Sequence, residues 1–391
     1  MPTPPTTALP LLVYGPRSAT YDFGPAHPLT PRRFGPGISL LEAFGAVPNL
    51  APEPATDAEL EWVHEPGYVE IVKAFSQEPL GASRAGIGPG DTPAFAGMHE
   101  ASASVAGGSL RALEAILRGQ ATHAFHPGGG LHHAMPARAS GFCVYDDPAL
   151  AIARARRDGL RVMYIDLDVH HGDGVQAIHW ADPGVLTVSI HESGFGLFPG
   201  TGFADEIGGP GAEGTKVNIA LDPGTGEIGW VEALEIVLPP LAEAFGPEII
   251  VSQHGADAHA FDPLAHLLVT TTAMGRLARL VDALAHQHAA GRWLATGGGG
   301  YDVYRVVPRV WAHVWLAQSH ISPLGELSTA WRERWAEEAE QYGQAPIPTS
   351  LDDPENAGLP YARSQAHADE RAAVIARDAL DRVLPLLANR T

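Results

Sequence analysis

The chain has 391 residues, 45% of them hydrophobic, which is enough to bury a large core and is read as one domain. Lys+Arg 25 against Asp+Glu 45 leaves a formal net charge of -20, which repels a phosphate backbone and argues against nucleic acid as the main partner; most of that acidity is read as a solubilising surface. The one cysteine, Cys143, excludes an internal disulfide and any CxxC pair, and fits a reducing cytoplasm.

The N-terminal Met-Pro-Thr-Pro-Pro-Thr-Thr carries neither a basic region nor an apolar stretch, so an unexported, cytoplasmic protein is expected. No apolar run reaches the roughly 20 residues needed to cross a bilayer, which excludes a membrane span. Short β-rich runs are predicted at Leu11 to Tyr14, Ala121 to Phe125, Arg161 to Leu167, Val185 to Ile190, Val217 to Leu221, Glu248 to Ser252 and Trp293 to Thr296. Helical spacing fills Ser109 to Arg118, Pro148 to Arg157, Gly229 to Ala244 and Leu264 to Ala289 between them. Such alternation predicts an α/β fold, a single three-layer α/β/α domain with a mostly parallel sheet, whose ligands gather beyond the carboxyl ends of the strands. Residues 1–320 are assigned to this domain. Residues 321–391, with charged helices at Leu327 to Tyr342 and Asp369 to Leu387, are read as a helical extension packed on it.

Four segments at strand ends carry chemistry. In Val162-Met-Tyr-Ile-Asp166-Leu-Asp168-Val-His170-His171-Gly-Asp173-Gly174, an apolar strand empties into Asp166, Asp168 and His170 at every second position. While the chain stays extended these point to one side. A lone Asp-x-His is usually structural, but three converging ionisable groups would be costly to bury without a cation. Ile249-Ile-Val-Ser-Gln-His254-Gly-Ala-Asp257 adds a second carboxylate at another strand end, which makes the two-carboxylate, one-imidazole set of an open catalytic metal site. His259, two residues on, is read as a neighbour of that site rather than a ligand. Pro127-Gly-Gly-Gly-Leu-His132-His133 delivers adjacent histidines from a Gly loop, with Asp166 and Asp173 as partners able to fix their tautomers for acid–base work. Ala295-Thr-Gly297-Gly-Gly-Gly300-Tyr301 delivers a phenol that could donate to an oxyanion.

Other patterns fail. Gly209-Pro-Gly211-Ala-Glu-Gly214 precedes a strand instead of opening a helix, there is no P-loop or GxSxG, and the His-Glu pairs at His64, His99 and His191 lack a second His four residues on.

In this order, together with Tyr21-Asp-Phe-Gly-Pro-Ala-His27-Pro, Asp91-Thr-Pro-Ala-Phe95, Ala139-Ser-Gly-Phe-Cys143 and Phe198-Pro-Gly-Thr-Gly202, the segments resemble the histone deacetylase superfamily over roughly Tyr21 to Tyr301. Gly-Leu-His-His-Ala-Met and Gln-His-Gly-Ala-Asp-Ala-His resemble its bacterial acetoin-utilization branch more than the acetylpolyamine amidohydrolases. The resemblance implies an arginase/deacetylase-like fold and hydrolysis of acetyl-lysine in proteins to acetate and free lysine, using metal-activated water, a His-His/Asp set and a Tyr oxyanion donor. It implies zinc, or iron(II), on Asp168, His170 and Asp257. His132 would pair with Asp166, His133 with Asp173, and Tyr301 would meet the substrate carbonyl. Gly141, Phe142 and Phe198 would line an acyl-lysine tunnel, with Leu264 at its mouth and Asp91 binding the substrate backbone. Asp166 and Ser189 fall where the family often holds a structural potassium ion, and Arg33 falls on an internal acetate path. The chain departs from the family's usual Tyr-Asn-Asp in having Tyr145-Asp146-Asp147. The rival readings are an acetylpolyamine or other small-molecule amidohydrolase, a binuclear ureohydrolase-like enzyme built on His259 and Asp262, and a non-catalytic acyl-lysine binder.

Overall fold

Alternate residues of the central strands are buried on opposite faces, which is why those strands read as continuous apolar runs. Met163 and Ile165 enter one hydrophobic cluster while Val162 and Tyr164 enter the other. A computed structural model describes residues 9–322, 325–354 and 363–388. The seven strands are β1 (Leu11–Leu12), β2 (His123–His126), β3 (Val162–Asp166), β4 (Val185–Glu192), β5 (Lys216–Leu221), β6 (Ile249–Gln253) and β7 (Trp293–Thr296). They form one sheet in the order β1-β2-β7-β6-β3-β4-β5, with every pairing parallel.

The helices are α1 (Phe34–Ala43), α2 (Asp57–Leu60), α3 (Pro66–Gln77), α4 (Met98–Leu117), α5 (Asp147–Arg157) and α6 (Asp173–Ile178), followed by α7 (Glu227–Phe245), α8 (Thr271–His288), α9 (Val307–Gln318), α10 (Thr329–Gln341) and α11 (Arg363–Ala388). Helices α3, α4 and α5 cover one face of the sheet, and α1, α7, α8, α9 and α11 the other. This is the expected three-layer α/β/α arrangement.

Helices α1, α3 and α9 are absent from the sequence reading, and two helices that it contains start elsewhere. The predicted segment from Leu264 begins as helix only at Thr271, where Thr270 accepts a hydrogen bond from the Ala273 amide as N-cap; Leu264 to Val269 form a loop before it. The predicted segment from Ser109 is the second half of a helix that starts at Met98, because Ala, Ser and Gly in the first half blur the apolar stripe. Among the described residues no helix is long and apolar enough to cross a membrane.

The chain leaves β3 towards β4 on one side and leaves β6 towards β7 on the other, so a crevice opens beyond the carboxyl ends of this adjacent pair. One register row crosses the sheet at that end: His126, Thr296, Gln253, Asp166 and Ser189 are successive neighbours. The loops that follow this row carry the polar residues singled out above.

Candidate active site

Strand β3 ends at Asp166 and the backbone bends through 168–170, so the run does not stay extended. Asp166 turns aside, while Asp168 and His170 meet Asp257, which arrives from the loop after β6. His170 Nδ1 lies 3.1 Å from Asp168 Oδ1 and 3.2 Å from Asp257 Oδ2. The other carboxylate oxygens are held from behind. Asp168 Oδ2 accepts from Gln253 Nε2 (2.6 Å) and the Gly299 amide (2.8 Å), and Asp257 Oδ1 from the Val169 amide (3.1 Å). Two buried carboxylates and an imidazole therefore aim one donor atom each at a common point, and this donor set fits a divalent cation. A side chain at Gly299 would run into the Asp257 carboxylate, so only glycine lets this loop close over the ligands.

The two histidines of the Gly loop stand beside this point with ring centroids 4.0 Å apart. His132 Nδ1 donates to Asp166 Oδ2 and His133 Nδ1 to Asp173 Oδ1, each at 2.7 Å, which leaves both Nε2 atoms for chemistry. His132 Nε2 is 3.9 Å from Asp168 Oδ1. Burial pulls the His132 imidazole down, but the Asp166 and Asp168 carboxylates outweigh it and push it up to about 10. Burial and the neighbouring His132 lower His133, with Asp173 opposing them. Environments that drive two adjacent groups apart separate their acid and base roles. In the ligand set, burial raises Asp168, yet His132, His170 and Gln253 hold it well below the carboxylate range. Burial and then the Asp168 charge push Asp257 up to about 6.

Leu29, Leu131, Gly141, Phe142, Cys143 and Tyr301 enclose a narrow cavity over these groups. Phe142 has a left-handed backbone (φ 68) and its ring lies 5.9 Å from that of Tyr301. The Phe198 ring stands edge-on to His133 at 5.0 Å and is 39% exposed, which puts it at the outer end. A Cβ on Gly141 (φ 49) would come within 2.6 Å of the His133 ring and 2.7 Å of the Phe198 ring, so this wall has no room for one. Tyr301 is fixed by its amide, which donates to Asp262 Oδ2 (2.9 Å); burial first, then Asp257 and Asp168, keep its phenol protonated.

Leu264 is partly buried in the cluster that contains Phe142 and Tyr301. Asp91 is exposed on the surface, and its carbonyl contacts His27, whose ring stands edge-on to Phe142 at 4.6 Å. Asp166 and Ser189 face each other across β3 and β4; Ser189 Oγ lies 2.9 Å from His191 Nδ1. Arg33 is buried behind the site and donates to the Gly298 carbonyl (2.6 Å).

His259 turns away to Asp353 (2.9 Å), and Asp262 accepts from the amides of Leu264 and Tyr301. Neither joins the ligand group, so a second adjacent metal set of the ureohydrolase kind is not assembled among the described residues. Gln253 and Tyr164 are contributors that the sequence reading did not single out, and Asp147, noted there only for its neighbour Asp146, is a third. Gln253 steers Asp168, Tyr164 donates to Asp166 (2.9 Å), and Asp147 accepts from the amides of Gly130 and Leu131 to fix the His loop. The signal for Gln253 was its place as the last strand residue, in register with Asp166.

The histone deacetylase domain model matches residues 27–318, which spans the whole of this site. The chain belongs to the histone deacetylase family. Within that family it is 40% identical to the acetoin utilization protein AcuC of Bacillus subtilis (strain 168) over 374 residues, covering 94% of this chain and 96% of that protein. It is 36% identical to AcuC of Staphylococcus xylosus over 353 residues, covering 88% and 91% respectively. Among solved structures, a histone deacetylase homologue from Aquifex aeolicus superposes with a TM-score of 0.81 at 28% identity, over 94% of this chain and all of that one. A homologue complexed with SAHA superposes with a TM-score of 0.82 at the same identity and coverage. This chain is thus a deacetylase-family hydrolase of the AcuC kind, and the family implies a divalent metal that the Asp168–His170–Asp257 donors suit.

Proposed function

We propose that the protein hydrolyses the amide of acetyl-lysine in peptides and proteins. The observation that carries this reading is the pair of carboxylate-anchored histidines placed beside two buried carboxylates and an imidazole, at the floor of a narrow, partly aromatic channel. Asp168, His170 and Asp257 would hold zinc or iron(II), between which this donor set selects weakly. Such an ion supplies Lewis acidity, activating water and polarising the amide carbonyl. His133, oriented by Asp173, takes a proton from the attacking water at Nε2 and returns it to the departing lysine nitrogen. His132, charged through Asp166 and Asp168, stabilises negative charge beside it. The Tyr301 hydroxyl donates to the oxyanion of the tetrahedral intermediate. Phe142, Phe198 and Gly141 exclude water around the alkyl stem, and Asp91 at the rim accepts from backbone amides of the substrate. A structural potassium ion is assigned to the facing residues Asp166 and Ser189, on the family resemblance.

Two measurements test this reading. Tyr301→Phe is expected to keep its bound zinc and lose about 100-fold or more in kcat, the scale for one oxyanion donor; near-wild-type turnover removes Tyr301 from this role. On metal-reconstituted protein, kcat/KM is expected to be higher for an acetyl-lysine peptide than for acetylspermidine or acetylputrescine, and arginine should not react. Leu264 at the mouth offers no carboxylate to attract a second amine. Asp91→Ala should weaken turnover of the peptide more than that of a minimal acetyl-lysine analogue. Better turnover of acetylpolyamines would assign a small-molecule amidohydrolase to the same site.

A further inference from the structure

At the opposite end of the sheet, four residues from three parts of the chain converge. His123 opens β2, Asp282 and His286 are one turn apart near the end of α8, and His320 follows α9. Their Nε2 and Oδ1 atoms are crowded: Asp282 Oδ1 lies 3.2 Å from His123, 3.5 Å from His286 and 3.3 Å from His320, and the Nε2 atoms of His286 and His320 are 3.2 Å apart. We propose that His123, Asp282, His286 and His320 form a second, non-catalytic binding site for a divalent transition metal of the zinc class.

Distance supports this first. Ligand bonds of about 2.0–2.2 Å in a tetrahedron set its edges at about 3.3–3.6 Å, and the four separations above match that within 0.1 Å. Hydrogen bonding alone accounts poorly for the cluster. One carboxylate oxygen would serve three imidazole nitrogens, and two facing Nε2 atoms cannot both donate. His123 supplies an independent observation. Its side chain is 3% exposed, and its Nε2 points into the cluster with no hydrogen-bond partner although Asp282 Oδ1 is 3.2 Å away. A buried nitrogen left without a partner is costly, and a cation at the shared focus would use its lone pair.

The surroundings are those of a built site. His123 Nδ1 lies 3.3 Å from Thr122 Oγ1, a contact that orients the ring from behind. His320 holds a left-handed backbone (φ 53), unusual for a residue with a side chain, and this aims its imidazole inward. The side chains of His286 and His320 are 44% and 35% exposed, so an ion can enter from solvent. Three imidazoles and one carboxylate select borderline metals such as zinc, cobalt(II), nickel(II) or copper(II) over magnesium or calcium. Four protein ligands leave no open position, which is the structural kind of site. It would clip the start of β2, the end of α8 and the turn after α9 together, where the chain departs for α10.

The test uses untagged full-length protein, stripped with chelator, reloaded with zinc, freed of excess ion and analysed for zinc per chain. Wild type is expected to retain two ions, Asp257→Ala one, His286→Ala one, and the double variant none. Because His286 is partly exposed, its replacement should leave the fold and deacetylase activity intact; His320→Ala serves as a second variant. In the Asp257→Ala background, zinc should raise Tm, and this response should vanish when His286→Ala is added. One ion in wild type with none in Asp257→Ala would overturn the proposal, as would an unchanged count or thermal response in both His286→Ala and His320→Ala. Because the readouts are stoichiometry and stability, this result is separate from whether the active site prefers acetyl-lysine.

Discussion

At Asp146 the chain buries a second carboxyl directly beside that of Asp147, where the family pattern has asparagine; neither residue is exposed to solvent. Asp146 Oδ1 caps α5 by accepting from the Ala149 amide (2.8 Å), while its Oδ2 has no partner. Burial above all, with the neighbouring Asp147 adding to it, pushes the Asp146 carboxyl well above its ordinary range, so it keeps its proton. A protonated aspartic acid copies the shape of asparagine but requires a proton that becomes scarce as pH rises. The folded state therefore binds one more proton than the unfolded chain above about pH 4, and stability is lost as pH rises towards the folded pKa. Asp146→Asn should remove that loss, raising Tm at pH 8 by about 2 °C or more and by less at pH 5. Thermal melts at the two pH values measure the difference; equal shifts at both would mean that Asp146 does not hold a proton. The substitution at this position was visible in the sequence. Its protonation was not, because that depends on Asp146 and Asp147 both facing inward.

Helix α11 shows how an element far along the chain completes an earlier one. The N-cap of helix α7 is Gly226, which has no side chain to cap it, and Asp369 of α11 accepts from the amides of Gly226 (2.7 Å) and Gly229 (3.3 Å) instead. Ala372, Ala376, Ala379, Val383 and Leu387 carry the buried face of α11 along from that anchor. Asp369→Ala should cost about 1–2 kcal/mol, the usual loss for a helix cap, with Asp369→Asn retaining most of it. Urea midpoints of the three proteins check this, and an unchanged midpoint in Asp369→Ala would remove the cap from the account. The seven strands and α5, α7, α10 and α11 were legible because their apolar residues recur with the period of the element. Helix α9 was not. All twelve of its residues are buried, including Arg309 and His313, so no polar face marks its period. The candidate site was readable for a related reason, since each of its residues lies in one of four short segments at a strand end. The His123–Asp282–His286–His320 cluster draws on residues nearly 200 positions apart with no shared motif, and only the packing of β2, α8 and α9 brings them together.

Across the whole molecule, composition and structure make opposite statements about acid. A net charge of -20 and an isoelectric point near 5.3 suggest that moderate acid relieves repulsion and favours the fold. The interior argues otherwise, because it holds several histidines in the neutral form. Burial lowers His64 and His179 to about 4, and His126 and His254 to about 3, all far from the 6.5 of an unfolded chain. Between these limits the unfolded chain binds protons that the folded one refuses, so the contribution of these histidines is complete above about pH 6.5 and is lost as pH falls. Each such group costs on the order of 1 kcal/mol per pH unit below 6.5, and several together cost a sizeable part of the whole stability. Asp147, raised by burial to about 6, and Asp146 and Asp262, also raised by burial, work the other way as they take up protons, but they stand against these four histidines together with His171 and His191, which burial lowers too. Relief of dispersed surface repulsion is screened by salt and smaller per group. A reserve of about 5–15 kcal/mol would then be exhausted within roughly one to three units of pH 6. The urea midpoint is therefore expected to be highest near about pH 7, to fall from pH 6 to 5, and to reach zero between about pH 5 and 3. His179→Gln should flatten that fall by one proton's worth. A midpoint that stays level or rises from pH 6.5 to 5 would show that surface charge, and not the neutral buried histidines, governs this fold in acid.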